Sequence, residues 1–263
     1  MREKIFTRQE FLGLSFDPID IDCARRAVVS RAGGESFHYV VTPNVDHIVG
    51  LDRSPNPQLL AAYEGAALCL CDSRILARLA ALADIRLPVV PGSDLTRDLL
   101  GYALPRGRIA VIGGDPLMHA ALEQIYPRFE WLFHAPPMGL RSNADARRTV
   151  GDFVVSSKAD VILFAVGAPQ SELLCAEIAA RGGARGVALC IGASLEFLTG
   201  AKRRAPNWMQ RASLEWLFRL LSEPRRLWRR YLVEGPRIIA IWQRWRTARA
   251  SRDLSGSTPS AGG

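Results

Sequence analysis

The chain has 263 residues, 48% of them hydrophobic, and a formal net charge of +8. That is enough apolar material for one large core or two small ones. No stretch approaches the ~20 apolar residues of a spanning helix, and Met1-Arg2-Glu3-Lys4 leads into no apolar run of signal-peptide length. The chain is therefore expected to be soluble, or to lie on a membrane without crossing it. Its charge is concentrated at one end: residues 201–253 hold 14 Lys and Arg against 4 Asp and Glu, so the rest is close to neutral.

Residues 5–35 read as a short lead-in and a helix capped by Asp20 or Asp22, ending at Gly33-Gly34. His38 to Thr42 is rich in β-formers and stops at Pro43-Asn44. Helical spacing resumes at Leu59, Leu60 and Tyr63. Ala67 to Cys71 is a buried-strand candidate ending at Asp72, with Cys69 and Cys71 on one face. Ser73 to Leu82 is helical, Leu87 to Val90 extended, and Gly92-Ser93-Asp94 opens another helix with Asp94 as its expected cap. The five Cys lack paired metal spacing and lie in apolar surroundings, as reduced buried thiols do.

The second half repeats this alternation. Strands are expected at Arg108–Ile112, Trp131–His134, Val161–Val166 and Gly186–Ile191, with helices at Leu117–Ile125 and Ala146–Ser157. Strands of continuous hydrophobicity alternating with helices predict an α/β, Rossmann-like fold, a mostly parallel sheet covered on both faces. Ligands of such sheets sit beyond the carboxyl ends of the strands. The small and polar turns at 42–46, 72–74, 113–115, 167–172 and 192–196 are thus expected to line one site.

Beyond residue 200 the pattern is helical and basic, broken by Pro224 and by Gly235-Pro236. Trp228, Tyr231, Gly235, Ile238, Trp242 and Trp245 form a stripe, flanked by Arg230, Arg237 and Arg244. The expected organisation is a catalytic unit over 1–200, a membrane-binding helical appendage over 201–250, and a disordered tail over 251–263. Thirteen of the 14 basic residues in 201–253 are Arg, the planar donor suited to phosphate. Nucleic acid is a competing partner, but the Trp-rich apolar stripe fits a lipid interface better.

Asp72, at a strand end, suits a general base if burial raises its pKa; it equally suits the N-cap of the helix that follows. Thr42 and Asn44 are turn formers first and ligand contacts second. Gly113-Gly114-Asp115 and Gly167-Ala168-Pro169 are glycine turns whose backbone N–H groups could cradle a diphosphate. Neither matches a dinucleotide or P-loop pattern. His38, His47, His119 and His134 are scattered with no i, i+4 pair, and no Asp-x-Asp stands at a strand end, so no metal site is expected.

Together the strings Thr42-Pro43-Asn44-Val45-Asp46, Asp72-Ser73-Arg74, Gly92-Ser93-Asp94-Leu95, Gly113-Gly114-Asp115-Pro116, Gly167-Ala168-Pro169-Gln170-Ser171-Glu172 and Gly192-Ala193-Ser194-Leu195-Glu196 resemble the WecG/TagA/CpsF family of bacterial glycosyltransferases. The most specific string is Arg204-Ala205-Pro206-Asn207-Trp208-Met209-Gln210, leading to Leu214-Glu215-Trp216 and Glu223-Pro224. The resemblance implies transfer of a sugar, with inversion, from a UDP-sugar to a polyprenyl-diphosphate-linked glycan during exopolysaccharide or other cell-surface polysaccharide synthesis. It implies no cofactor beyond the donor substrate, a place on the inner face of the cytoplasmic membrane, and possible homo-oligomers. By position, Asp72 falls at the proposed base, Thr42 and Asn44 at active-site residues, and Arg219, Arg226 and Arg229 at arginines reaching diphosphate. Gly113, Gly114, Asp115, Gly167, Pro169, Gln170, Ser171, Gly192, Glu196 and Arg204 complete the expected donor site. Ser171 stands where many members have Gln, Ser73 where they have Gly, and Val90 where they often have Arg. These variants look more like exopolysaccharide members, including xanthan-type glucosyltransferases. The alternative is a non-catalytic binder of nucleotide sugars or nucleic acid.

Overall fold

The computed structural model describes residues 7–206, 208, 209, 212 and 214–256. The expectations placed on the first four residues, on Asn207 and Gln210, and on the tail from 257 onward lie outside them.

The described chain opens with a hairpin that periodicity does not announce, β1 (Gln9–Phe11) and β2 (Leu14–Phe16). Its two-residue turn places Leu12 and Gly13 at φ +53° and +81°. Turns with both central φ angles positive match the strand twist, and Gly13 makes this one accessible. Then follow α1 (Ile21–Val29), β3 (Phe37–Val41), α2 (Val45–Arg53), α3 (Pro57–Glu64), β4 (Leu68–Cys69), α4 (Arg74–Ala81) and α5 (Gly92–Asp98). The second half runs β5 (Gly107–Ile112), α6 (Pro116–Ile125), β6 (Phe129–His134), α7 (Ala144–Ser157), β7 (Val161–Phe164), α8 (Gln170–Arg181), β8 (Gly186–Cys190) and α9 (Ser194–Leu198).

β3 to β8 form one six-stranded sheet in the order β4-β3-β8-β7-β5-β6, every pair parallel. The α/β reading of the sequence holds. Strand side chains alternate between two apolar clusters. Tyr39, Val41, Ala110, Ile112, Ile162, Phe164, Ala188 and Cys190 face one layer. Val40, Ile109, Val111, Val161, Leu163, Val187 and Leu189 face the other. Burial on both faces is why these strands are apolar at every position. Cys69 and Cys71 do share a face, and Cys69, Cys71, Cys175 and Cys190 are buried and free.

The connections place the crevice. After β5 the chain moves outward to β6; after β7 it returns the other way to β8. Such a reversal opens a gap between the loops beyond β5 and β7, at 113–115 and 165–169.

Two local expectations change. Asp20 alone caps α1, accepting the Cys23 N–H at 2.8 Å. Asp94 caps nothing: α5 begins one residue after Pro91, and Asp94 lies inside its first turn.

The basic end folds as α10 (Glu215–Ser222), α11 (Pro224–Trp228), a π turn at Arg229–Glu234, and α12 (Arg237–Gly256). Helix thus runs to Gly256, through residues expected to be disordered. Ile238, Ile241 and Trp242 are buried in the same apolar cluster as β1, β2 and α4. The Trp242 indole N–H donates to the Leu79 carbonyl at 3.0 Å, and Trp245 meets Phe11 edge-on at 5.1 Å. That half of the aromatic stripe packs on the body, not on lipid. Among the described residues no helix is long and apolar enough to cross a membrane.

Candidate active site

A cavity of about 1490 Å³ lies beyond the carboxyl ends of the strands, roofed by residues of 196–203 and 215–234. The five predicted turns meet in it: Thr42, Asn44, Asp72, Gly114, Asp115, Gly167, Pro169, Ser171, Gly192 and Glu196 all line its wall.

Asp72 occupies a position set by three strand ends. Its N–H donates to the Pro43 carbonyl at 3.0 Å, and Cys71 bridges to Val89 in the extended run beyond β4. Its carboxylate accepts the Gly92 N–H at 3.3 Å. Gly92 is needed there, because a Cβ would lie 3.0 Å from Thr42 Oγ1. Asp72 is not a helix cap. Ser73 caps α4, its hydroxyl accepting the Leu76 N–H at 3.2 Å, so the carboxylate stays free for the cavity.

Burial pushes the Asp72 pKa up to about 7, opposed by the Gly92 N–H. Glu215 from the roof adds to the rise, while Arg219 and His47 counter it. A carboxylate so placed exchanges protons near neutrality, as a general base must. The side chain is partly open to the cavity, where a ligand can reach it.

The neighbouring residues do structural work as well. Thr42 is buried and donates its hydroxyl to the Cys190 carbonyl at 3.3 Å, tying β3 to β8 at their tips. Asn44 caps α2, accepting the Asp46 N–H at 3.0 Å, while His47 Nδ1 accepts the Asn44 N–H at 3.1 Å. Asp115 caps α6 through the Met118 N–H at 2.8 Å. Gly113 has φ +102°, and a Cβ on it would sit 3.2 Å from the Ala165 carbonyl carbon, so glycine is what lets the two crevice loops approach. Ser171 is buried with its hydroxyl on the Gly167 carbonyl at 3.1 Å.

Four predicted site residues stand back from the cavity wall: Gly113, Gln170, Arg204 and Arg229. Gly113 acts through loop packing. Arg204 grips both carboxylate oxygens of Asp94, clamping the start of the basic end onto α5. Arg229 points outward beside Glu234 at 3.6 Å, its side chain 69% exposed. Arg219 and Arg226 do line the cavity; Arg219 lies over the Phe197 ring and 3.0 Å from Glu215.

The fold also pairs side chains whose partners the sequence did not show. Arg230 binds Asp46 of α2, and Arg53 binds Glu234 at 2.7 Å, so the roof is ion-paired to the floor. Lys202 bridges Glu196 and Glu223. Arg203 is exposed on the cavity wall with no acidic partner among the described residues, which leaves its guanidinium available to an anion. His47, Tyr63 and Glu172 form a polar group on the floor. Arg203-Arg204 in the basic run and Arg230 in its seven-residue spacing carried a local signal; the other pairings depend on which helices the sheet brings together. Among the described residues no group of three or more His, Cys, Asp or Glu is placed to hold a metal ion.

The arrangement offers one near-neutral carboxylate, a crevice between glycine loops, and arginines above both. A family model described as Glycosyl transferase WecG/TagA/CpsF family matches residues 9–252.

Proposed function

Because this chain belongs to the WecG/TagA/CpsF glycosyl transferase family, we propose that it is an inverting enzyme of cell-surface polysaccharide synthesis. It moves a sugar from a UDP-sugar to a polyprenyl-diphosphate-linked glycan. The observation that carries this reading is Asp72, a carboxylate held near neutrality, uncommitted to helix capping and open to the cavity.

Asp72 takes the proton of an acceptor hydroxyl as that oxygen attacks the anomeric carbon from the face opposite the diphosphate. The bond between the anomeric carbon and the diphosphate oxygen breaks, and UDP leaves with the electron pair. One displacement with one base inverts the centre without a covalent intermediate. Charge developing on UDP is met by Arg203, Arg219 and Arg226 and by backbone N–H groups of the 113–115 and 167–169 turns.

The acceptor's lipid anchors the reaction to a membrane, and the roof supplies the contact. Leu221, Trp228, Leu232, Val233 and Ile239 are exposed there beside the exposed Arg225, Arg229 and Arg237. Apolar side chains mixed with cations suit an anionic bilayer interface. This contact involves the outer side of the appendage, not the Trp242 side.

The test is UDP release from UDP-glucose, UDP-N-acetylmannosamine and UDP-uronic acids, each with a short glycan on polyprenyl diphosphate. Release that requires both donor and lipid acceptor is expected with one of these. Tight binding of a UDP-sugar without release would instead make the chain a nucleotide-sugar binder, and no interaction with any donor would remove the reading.

A further inference from the structure

The cavity floor holds two polar atoms that nothing in the protein satisfies. Glu172 is 3% exposed and Tyr63 1%. Glu172 Oε2 and the Tyr63 hydroxyl are both buried without a hydrogen-bond partner. A buried polar atom left unpaired is destabilising, so two of them side by side at a cavity call for a functional account. They are also adjacent: α3 and α8 pack together, the Tyr63 ring meets the His47 ring edge-on at 6.4 Å, and His47 Nε2 lies 3.5 Å from Glu172 Oε1. Oε1 is thus engaged and Oε2 is spare.

Their place in the sheet says what part of a ligand they meet. The crevice between the glycine loops lies at β5 and β7, while Asp72 lies beyond β4. With strands ~4.8 Å apart, four strand spacings separate β5 from β4, roughly 19 Å. His47 opens α2 directly after β3, and Glu172 opens α8 directly after β7. The polar group therefore sits between the nucleotide end of the cavity and the base, where a transferred ring must lie.

We propose that Glu172 and Tyr63, with His47 fixing the carboxylate, form a recognition subsite for a ring hydroxyl of the sugar. This rests on the glycosyltransferase reading and deepens it. The hydroxyl donates to Glu172 Oε2 and accepts from the Tyr63 O–H. Burial, reinforced by the nearby Glu172 carboxylate, raises the Tyr63 phenol far above its ordinary range, so it remains a donor at any working pH. A hydroxyl that both donates and accepts satisfies both atoms at once, which neither a methyl nor a bare carbonyl can do. Ser171, buried beside Glu172 with its hydroxyl turned back to Gly167, is occupied elsewhere and leaves this task to Glu172.

The experiment uses the full chain and two near-isosteric variants, Tyr63→Phe and Glu172→Gln. Calorimetric affinities for UDP and for the UDP-sugar selected by the release screen are compared, and KM for the lipid-linked acceptor is measured separately. Loss of one such hydrogen bond is expected to weaken UDP-sugar binding by about 3- to 10-fold in each variant while UDP binding stays at the wild-type value. The deoxy donor lacking the recognised hydroxyl should bind wild type and Tyr63→Phe alike, which a merely structural role would not produce. A rise confined to acceptor KM would keep the hydroxyl chemistry and assign the ring to the acceptor. Variants with wild-type affinity for the donor and wild-type KM for the acceptor overturn the subsite alone. Wild-type protein that binds no nucleotide sugar overturns the glycosyltransferase reading, and the subsite with it.

Discussion

Asp72→Asn is expected to lower turnover by a factor of ~10² or more while leaving the protein folded. Asn keeps the volume and can still accept the Gly92 N–H that the carboxylate holds at 3.3 Å, but it cannot take a proton. In the wild-type protein the rate should rise with pH through about 7 and level off above it, because only the ionised form is a base. In the variant the residual rate should be independent of that titration. A folded Asp72→Asn protein with wild-type turnover would remove the residue from the role.

Stability should move the opposite way. Burial raises the Asp72 pKa in the folded state to about 7, from 3.8 in an exposed chain. Between those values the folded protein retains a proton that the unfolded chain has released. Wild-type stability should therefore fall, relative to Asp72→Asn, as pH rises through this window, and change no further above it. At pH 8 the variant gains up to ~4 kcal/mol, an upper bound because the side chain is partly exposed to the cleft. Urea denaturation at pH 4 and pH 8 reads this directly: near-equal stabilities at the lower pH, a more stable variant at the higher. Such a pairing, less active yet more stable, separates a strained functional carboxylate from a structural one.

The strand tips were legible for a simple reason. A parallel strand buried on both faces must be apolar throughout, as in Val161–Phe164, and a buried run can end only where the chain turns. Asp72, Thr42, Gly114 and Gly167 were found because they stand at such ends. α2 was not found: its segment is interrupted by Asp46, Gly50 and Asp52, and its cap uses His47 in place of the usual Glu or Gln. The roles of Arg204 and Arg230 were equally hidden. Arg204 read as part of the donor site and Arg230 as the cationic flank of the aromatic stripe, but their carboxylate partners, Asp94 and Asp46, are 110 and 184 residues away in sequence. A helical period shows that one face is apolar; it does not show whether protein or lipid covers that face.

That distinction decides what happens when the basic end is removed. Deleting residues from 237 onward is expected to unfold the protein, not to leave a soluble catalytic body. Ile238, Ile241 and Trp242 are 3%, 8% and 9% exposed and share a cluster with Phe11, Leu76 and Leu79. Truncating one buried Ile costs about 2–5 kcal/mol and one Trp about 3–5, so the loss of all three rivals the whole stability of a typical domain. Trp242→Ala alone also strips the Leu79 carbonyl of its donor and should lower the urea midpoint sharply. The exposed set behaves otherwise. Replacing Leu221, Trp228 and Leu232 with Ser, at side chains 70%, 51% and 55% exposed, should shift stability by no more than about 0.5 kcal/mol each. The same triple variant should lose sedimentation with anionic vesicles and turnover of lipid-linked acceptor, while keeping its affinity for the nucleotide sugar. Retained sedimentation would take the membrane contact away from this surface. Either way, appendage and body stand or fall together, since one face of the end helix completes the core that holds the sheet, and with it the position of Asp72.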